Sequence, residues 1–149
     1  MSIEYREYSR KKGPPQEWDE TVFGFCQFLD LDIDGVSFSG LMHYCTLERS
    51  KFYWGFFNTA AFIHTRFVEC VFPGASFRGC HFVGCEFERC SFPLDNLGGA
   101  ALIDDCTLTE CRITGCSFEP SPREKRALLT AKTRLYGCEI VDSDGPIAP

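Results

Sequence analysis

The sequence predicts an all-β fold, a quadrilateral parallel β-helix, and three observations predict it. Phenylalanine recurs at every fifth position from Phe52 to Phe92. A small residue stands two places before each of these, in the series Ser50, Gly55, Ala60, Thr65, Cys70, Ala75, Cys80, Cys85 and Cys90. All ten cysteines of the chain lie two places before a large apolar residue of this kind. A period of five matches neither the 3.6 of a helix nor the 2 of a flat strand. Each five-residue unit therefore reads as one short side of a square coil. The large and the small residue point inward together, the chain turns just beyond, and four sides bring it back above its start. Successive coils then stack at the strand spacing of roughly 4.8 Å.

Taken in order, residues 1–21 are polar and charged, with Gly13-Pro14-Pro15 breaking any helix, and read as an N-terminal cap. The main coils span 22–118. Their inward centres begin at Phe23, Phe28, Ile33 and Phe38. The phase slips back by one at Gly40, giving Met42, Leu47 and the long run through Phe92 to Leu97 and Leu102. It slips forward by one at Asp104-Asp105, giving Leu108, Ile113 and Phe118. Residues 119–133 leave the pattern as a helical or loop insertion. Leu135 and Ile140 resume it in a last partial coil over 134–142, and 143–149 is a tail. This is a single domain of about five and a half coils, stacked like other solenoids. Only Phe25 and Phe56 among the phenylalanines are not centres.

Composition agrees with a folded, non-membrane chain. At 149 residues, 44% hydrophobic and 15% aromatic, it holds enough apolar material for one continuous core. No apolar run approaches the length of a membrane span. The first fifteen residues lack an apolar leader segment, so the expected location is cytoplasmic.

Ten cysteines invite a disulfide or zinc reading. Their single inward register favours free thiols used as small apolar side chains. Zinc sites need close pairs such as Cys-x-x-Cys, and the chain has none. Neither a metal nor another cofactor is expected.

Segments such as Cys80-His81-Phe82 and Ala100-Ala101-Leu102 repeat a small residue, a free one, then Phe or Leu. In this the chain resembles the pentapeptide-repeat family. The resemblance implies a right-handed coil and a role in protein binding. Some members act as DNA-shaped acidic rods that bind and protect DNA gyrase. Others serve as immunity partners that bind and block a toxin protein, including nuclease toxins.

Residues twenty apart stack, so the outer walls can be read as columns. The wall centred on Leu47, Phe67 and Phe87 alternates in charge through Asp30, Arg49, Glu69, Arg89 and Glu110, with Arg66 beside Glu86. Opposite-charge neighbours of this kind contribute roughly 0.2–1 kcal/mol each, so this wall reads as a solvated face that fixes coil stacking. The wall centred on Met42, Phe62, Phe82 and Leu102 carries an outward apolar strip including Tyr44, Ile63, His64 and Val83, and all three histidines. The insertion is expected to cover part of it, with Ala127, Leu128 and Ala131 on a short helix, or a partner does. The next wall shows Tyr53 and Trp54, with Phe56 around the corner, as interface anchors or as packing for the N-terminal segment. The wall around Phe57, Phe77 and Leu97 is small and polar.

No nucleophile elbow and no phosphate loop followed by a helix occurs, and flat walls offer no cleft. An enzyme is not expected. A DNA mimic needs a long single-sign field. Residues 21–118 hold 11 acids against 6 bases, but the charged wall alternates and the uncompensated acids are expected to cluster at the ends, at Asp30, Asp32 and Asp34 and at Asp104-Asp105. The expected activity is therefore protein binding by an immunity-type inhibitor of a toxin, with gyrase protection and a purely structural repeat as alternatives. The expected partner is one protein, in a one-to-one complex or with the chain otherwise monomeric. No direct nucleic-acid or membrane binding is expected. The candidate partner-binding residues are Tyr53, Trp54, Phe56, Tyr44, Ile63, His64, Val83, Asp32 and Asp34.

Overall fold

A computed structural model describes residues 1–149 as strands and turns, with no helix. All strand pairs are parallel, and the chain winds through four walls. The first and second walls are seven-stranded, running from Ser2–Glu4 to Arg134–Tyr136 and from Glu7–Tyr8 to Glu139–Val141. The third is built from Asp32–Asp34, Lys51–Tyr53, Ser91–Phe92 and Ser117–Phe118, linked through Val71. The fourth holds Ser37–Phe38, Phe56–Asn58, Ser76–Arg78 and Leu102–Asp104.

The five-residue unit works as the side-chain volumes demand. Phe52 through Phe92 are all buried and stack over partners one coil away. Phe57 lies 4.4 Å from Phe77 at 7°, and Phe67 lies 4.6 Å from Phe87 at 4°. Parallel offset rings at this separation add about 0.5–1.5 kcal/mol beyond their burial. Beside them run the small residues, whose hydroxyls and thiols lie against backbone carbonyls of the coil below. Cys80, Cys85 and Cys90 all do this, at 3.1–3.2 Å from Phe57 O, Phe62 O and Phe67 O. Nine of the ten cysteines are buried and the tenth, Cys138, is half-buried at the open end. All are free thiols. Phe25 and Phe56 point outward, as their register requires.

The short coil at Gly40 is present. Phe23 pairs with Met42 and Phe38 with Phe57, a turn of nineteen residues instead of twenty. Thr21 O sits where a Cβ of residue 40 would be, at 2.0 Å, so only glycine lets the corner close.

The second slip lies elsewhere. Phe77 pairs with Ile103, Phe82 with Leu108, Phe87 with Ile113 and Phe92 with Phe118. Each coil here takes twenty-six residues, because the chain leaves the wall after Phe92 and returns at Ala101. Leu97 is not an inward centre; it is 82% exposed at the loop tip. Leu102 is not one either: it pairs with Ser76 on the outer register, and Ala101 and Ile103 are the inward pair. The expected Ala100-Ala101-Leu102 frame is therefore shifted by one. Leu102 belongs to the fourth wall, and Glu110 stands above Gly84 instead of above Arg89.

Both ends also differ from expectation. Residues 1–21 contain two strands of a further coil, Ile3 stacking on Phe23 and Tyr8 on Phe28. Trp18 follows, against Phe23, Phe28, Phe38 and Phe52, and closes that end. The helix expected around Pro122 to Leu129 does not form. Leu128 and Leu129 are buried, Leu129 bridges to Ile103, and their N–H groups bond to Pro146 O and Ile147 O. Apolar pairing with the tail satisfies these groups better than an isolated single turn would. The insertion thus completes the last coil's fourth side, with Ala131 exposed, instead of covering the strip on the first wall.

Candidate functional site

The second wall resolves into ion pairs. Arg49 bonds Asp30 at 2.8 Å and Glu48 at 2.7 Å, Arg66 bonds Glu86 and Glu88 at 3.1 Å, and Arg89 bonds Glu88 at 2.8 Å and Glu69 at 3.2 Å. The side-chain hydrogen bond from Arg49 holds the Asp30 carboxyl below the usual range. These pairs are solvated and each contributes little, but their three arginines offset much of the charge of the wall's five carboxylates.

The nine candidate residues fall into two groups. Tyr44, Ile63, His64 and Val83 lie on the first wall and its corner with the second. Asp32, Asp34, Tyr53, Trp54 and Phe56 lie on the third wall and its corner with the fourth. The first and third walls are separated by another wall on either side, so the two groups sit at diagonally opposed corners.

At the first corner the structure adds residues that the column reading missed. Tyr5, Phe25, Tyr44 and His64 form one continuous exposed stack. Tyr5 lies 5.0 Å from Phe25 at 10°, Phe25 lies 5.3 Å from Tyr44 at 9°, and Tyr44 lies 5.0 Å from His64 at 24°. His43 meets Phe25 edge-on at 5.4 Å. The His64 imidazole occupies the space above Gly84, where a Cβ would come within 2.6 Å. Tyr5 is 74% exposed, Phe25 41% and Tyr44 53%. All four rings stand on corner residues with positive φ, between 46° and 54°. That conformation suits glycine and asparagine and strains bulky side chains. Other corners of the coil use Gly35, Gly74, Gly79, Gly84 or Gly115 there, or polar and charged residues such as Arg49, Thr59, Glu69 and Arg89. Beside the stack, Leu41, Ile63 and Val83 supply the outward apolar strip, half-buried or exposed. Tyr5 and Phe25 were findable, since aromatic residues recur about one coil apart from residue 5. A column begun at Thr21 hides the pattern.

At the second corner the anchors are tied down, and by the loop after Phe92 instead of by the N-terminal segment. The Trp54 indole N–H donates to Asp95 Oδ2 at 2.8 Å. The Tyr53 hydroxyl donates to Asn96 Oδ1 at 2.5 Å and accepts from Asn96 N–H at 2.7 Å. The other Asp95 oxygen accepts the N–H groups of Leu97 and Gly99, both at 2.8 Å. The loop is thus a fixed structure that holds Leu97 in solvent. Trp54 and Phe56 stay exposed. Asp32 and Asp34 stand on the same wall, opposite Lys51 and Tyr53 in register. No three His, Cys, Asp or Glu side chains converge as metal ligands, and no helix is long and apolar enough to cross a membrane.

Residues 57–92 match the model of the family described as Pentapeptide repeats, in eight copies. No curated protein matches the sequence. Among solved structures, a pentapeptide repeat protein (Rfr23) from the cyanobacterium Cyanothece 51142 is similar at 13% identity and a TM-score of 0.34, over 82% of this chain and 89% of that one. A trypsin-treated form of QnrB1, a plasmid-mediated fluoroquinolone resistance protein, is similar at 16% identity and a TM-score of 0.39, over 96% of this chain and 67% of that one. Full-length QnrB1 gives 11% and 0.24, over 93% and 91%.

Proposed function

We propose that this chain, a pentapeptide-repeat protein, is a non-catalytic binding module that recognises a protein partner through the ring stack Tyr5–Phe25–Tyr44–His64 and the strip beside it. The observation that carries this reading is the choice of residue. Four aromatic side chains follow one another on the positive-φ corners of a single column, where other columns, Trp54 apart, carry glycine, polar or charged residues, and they remain in solvent. Aromatic side chains of this kind are the usual anchors of protein interfaces. The core does not need them, since none of the four belongs to it.

We further propose that the partner is a toxin protein, possessing a concave surface that the convex corner fills, and that the chain neutralises it as an immunity-type inhibitor in the cytoplasm. The charge pattern supports this over a rod that imitates DNA. A DNA-like rod needs an unbroken field of one sign, whereas three arginines interrupt the five acids of the second wall between Asp30 and Glu88.

The test is co-expression with the product of the neighbouring gene. Rescue of growth and a one-to-one complex on size exclusion are expected, with binding weakened about tenfold or more by Phe25→Ser or Tyr44→Ser, the scale of an interface anchor. A change in gyrase supercoiling with no toxin partner would put gyrase protection first.

A further inference from the structure

We infer that the diagonally opposite corner, between the third and fourth walls, is a second and separate docking surface, fitted to a cationic protein surface with an apolar socket. Three independent features of the chain meet there.

The first is the loop. The chain departs from a five-residue unit between Phe92 and Ala101, and the tip of the detour does nothing for the core, since Leu97 ends in solvent. A flexible excursion would be unremarkable for a surface loop. This one is held by Asp95, which gathers three N–H groups at 2.8 Å, and by the Tyr53–Asn96 pair. Gly74 and Gly99 leave room for the carboxylate, whose atoms would lie 2.7 and 2.5 Å from a Cβ at those positions. A side chain pre-ordered in this way loses little entropy on binding.

The second feature is the company Leu97 keeps. Trp54 is bonded to the same carboxylate and still presents an exposed ring, and Phe56 follows around the corner. The polar atoms of Tyr53 and Trp54 are already satisfied, so burying their rings would leave no donor stranded.

The third feature is charge, and it identifies the occupant. On the second wall the carboxylates are paired with arginine. On the third wall Asp32, Asp34, Asp95 and Glu119 take part in no ion pair, and Lys51 is the cation in register with Asp32. Lys51 lies over the Tyr53 ring, 5.6 Å from its centroid. An apolar tip rimmed by uncancelled negative charge complements a surface whose socket is rimmed by lysine or arginine. At the other corner the acids outside ion pairs, Glu4 and Glu110, stand at the two ends of the aromatic stack and not around a single apolar tip. One flat partner cannot reach both corners, so each surface is tested alone.

The probe is a short amphipathic peptide of leucine and lysine, with a leucine–glutamate peptide and a lysine–serine peptide as controls. Titration into the intact chain is followed by calorimetry and by the amide and indole N–H resonances. The leucine–lysine peptide is expected to bind and to move the Trp54 indole and the Asn96 to Gly99 resonances. Leu97→Ser and the pair Asp32→Asn, Asp34→Asn should each weaken it about tenfold, the loss of one anchor or of the charge rim. Tyr44→Ser, on the opposite corner, should leave it unchanged. These side chains are exposed, so the variants keep the coil, which far-ultraviolet dichroism checks. The inference is overturned if the leucine–lysine peptide does not bind, or if lysine–serine binds as well. It is equally overturned if Leu97→Ser has no effect, or if the shifts fall at Phe25 and Tyr44.

Discussion

The Trp54 indole N–H donates to Asp95 Oδ2 across forty-one residues of sequence, at 2.8 Å. That bond fastens a loop outside the repeat to a corner inside it, and it makes the carboxylate of Asp95 a structural part. Burial pushes this carboxyl up, but the N–H groups of Gly99, Trp54 and Leu97 outweigh it and hold the group below the ordinary value.

A depressed native value means that the loop gains stability from Asp95 above the unfolded value of about 3.9 and loses it as pH falls through the native one. The Trp54 indole N–H resonance is expected to stay fixed from neutral pH down to about 5 and to shift below about 4. In Asp95→Asn the shift on acidification should vanish. An unchanged titration in that variant would contradict the arrangement.

Phe67 is buried and stacks on Phe87 at 4.6 Å in the middle of the pile. Phe67→Ala should cost about 3–5 kcal/mol, because coils on both sides prevent collapse into the cavity. Denaturant unfolding measures this, and a cost below about 1 kcal/mol would show that the pile repacks.

Gly40 and Gly98 make a matched pair. At residue 40 a Cβ meets Thr21 O at 2.0 Å, while at residue 98 it meets nothing within 4 Å and only the positive φ of 79° opposes it. Gly98→Ala should cost about 1 kcal/mol from backbone strain alone. Gly40→Ala should cost several times more, since backbone must move, or abolish folding. Thermal melts of the two variants give the comparison.

Nine thiols are buried, and burial pushes Cys45 up to about 12. Cys138, half-buried in the last coil, is also raised by burial. An aromatic disulfide reagent should therefore modify about one thiol per native chain, faster as pH rises, and all ten after denaturation. Cys138→Ser should remove the native reaction. Rapid modification of several thiols in the native chain would mean that the stack opens.

The repeat was legible in the sequence because the interior leaves little choice. Each side must carry one large and one small inward residue, and Phe52 to Phe92 with their preceding small partners satisfy that without exception. The loop was not legible, because Leu97 and Leu102 continue the spacing of five although Leu97 lies in solvent and Leu102 is buried outside the inward column. Leu102 and Ile103 are adjacent apolar residues, and only pairing to Ser76 and Phe77 decides which faces inward. Pro93 and Gly98-Gly99 were the available turn signals. The first coil was hidden by composition: Ile3 and Tyr8 hold the five-residue spacing inside a charged segment. Of the candidate residues, Tyr44, Ile63, His64 and Val83 share a corner as expected. Tyr53 and Trp54 carry hydrogen bonds to a loop that no periodicity predicts.

Because the excursion after Phe92 departs from the prism and rejoins it at the following side, its length is uncoupled from the orientation of what comes later. Adding residues at Leu97 would enlarge the protrusion and leave Leu108, Ile113 and Phe118 above their present neighbours. Adding a single five-residue unit within the coils would instead rotate everything downstream by a quarter turn, dividing each outer column between two sides. Natural variation in this architecture should therefore be tolerated at the excursion and selected against between the rings.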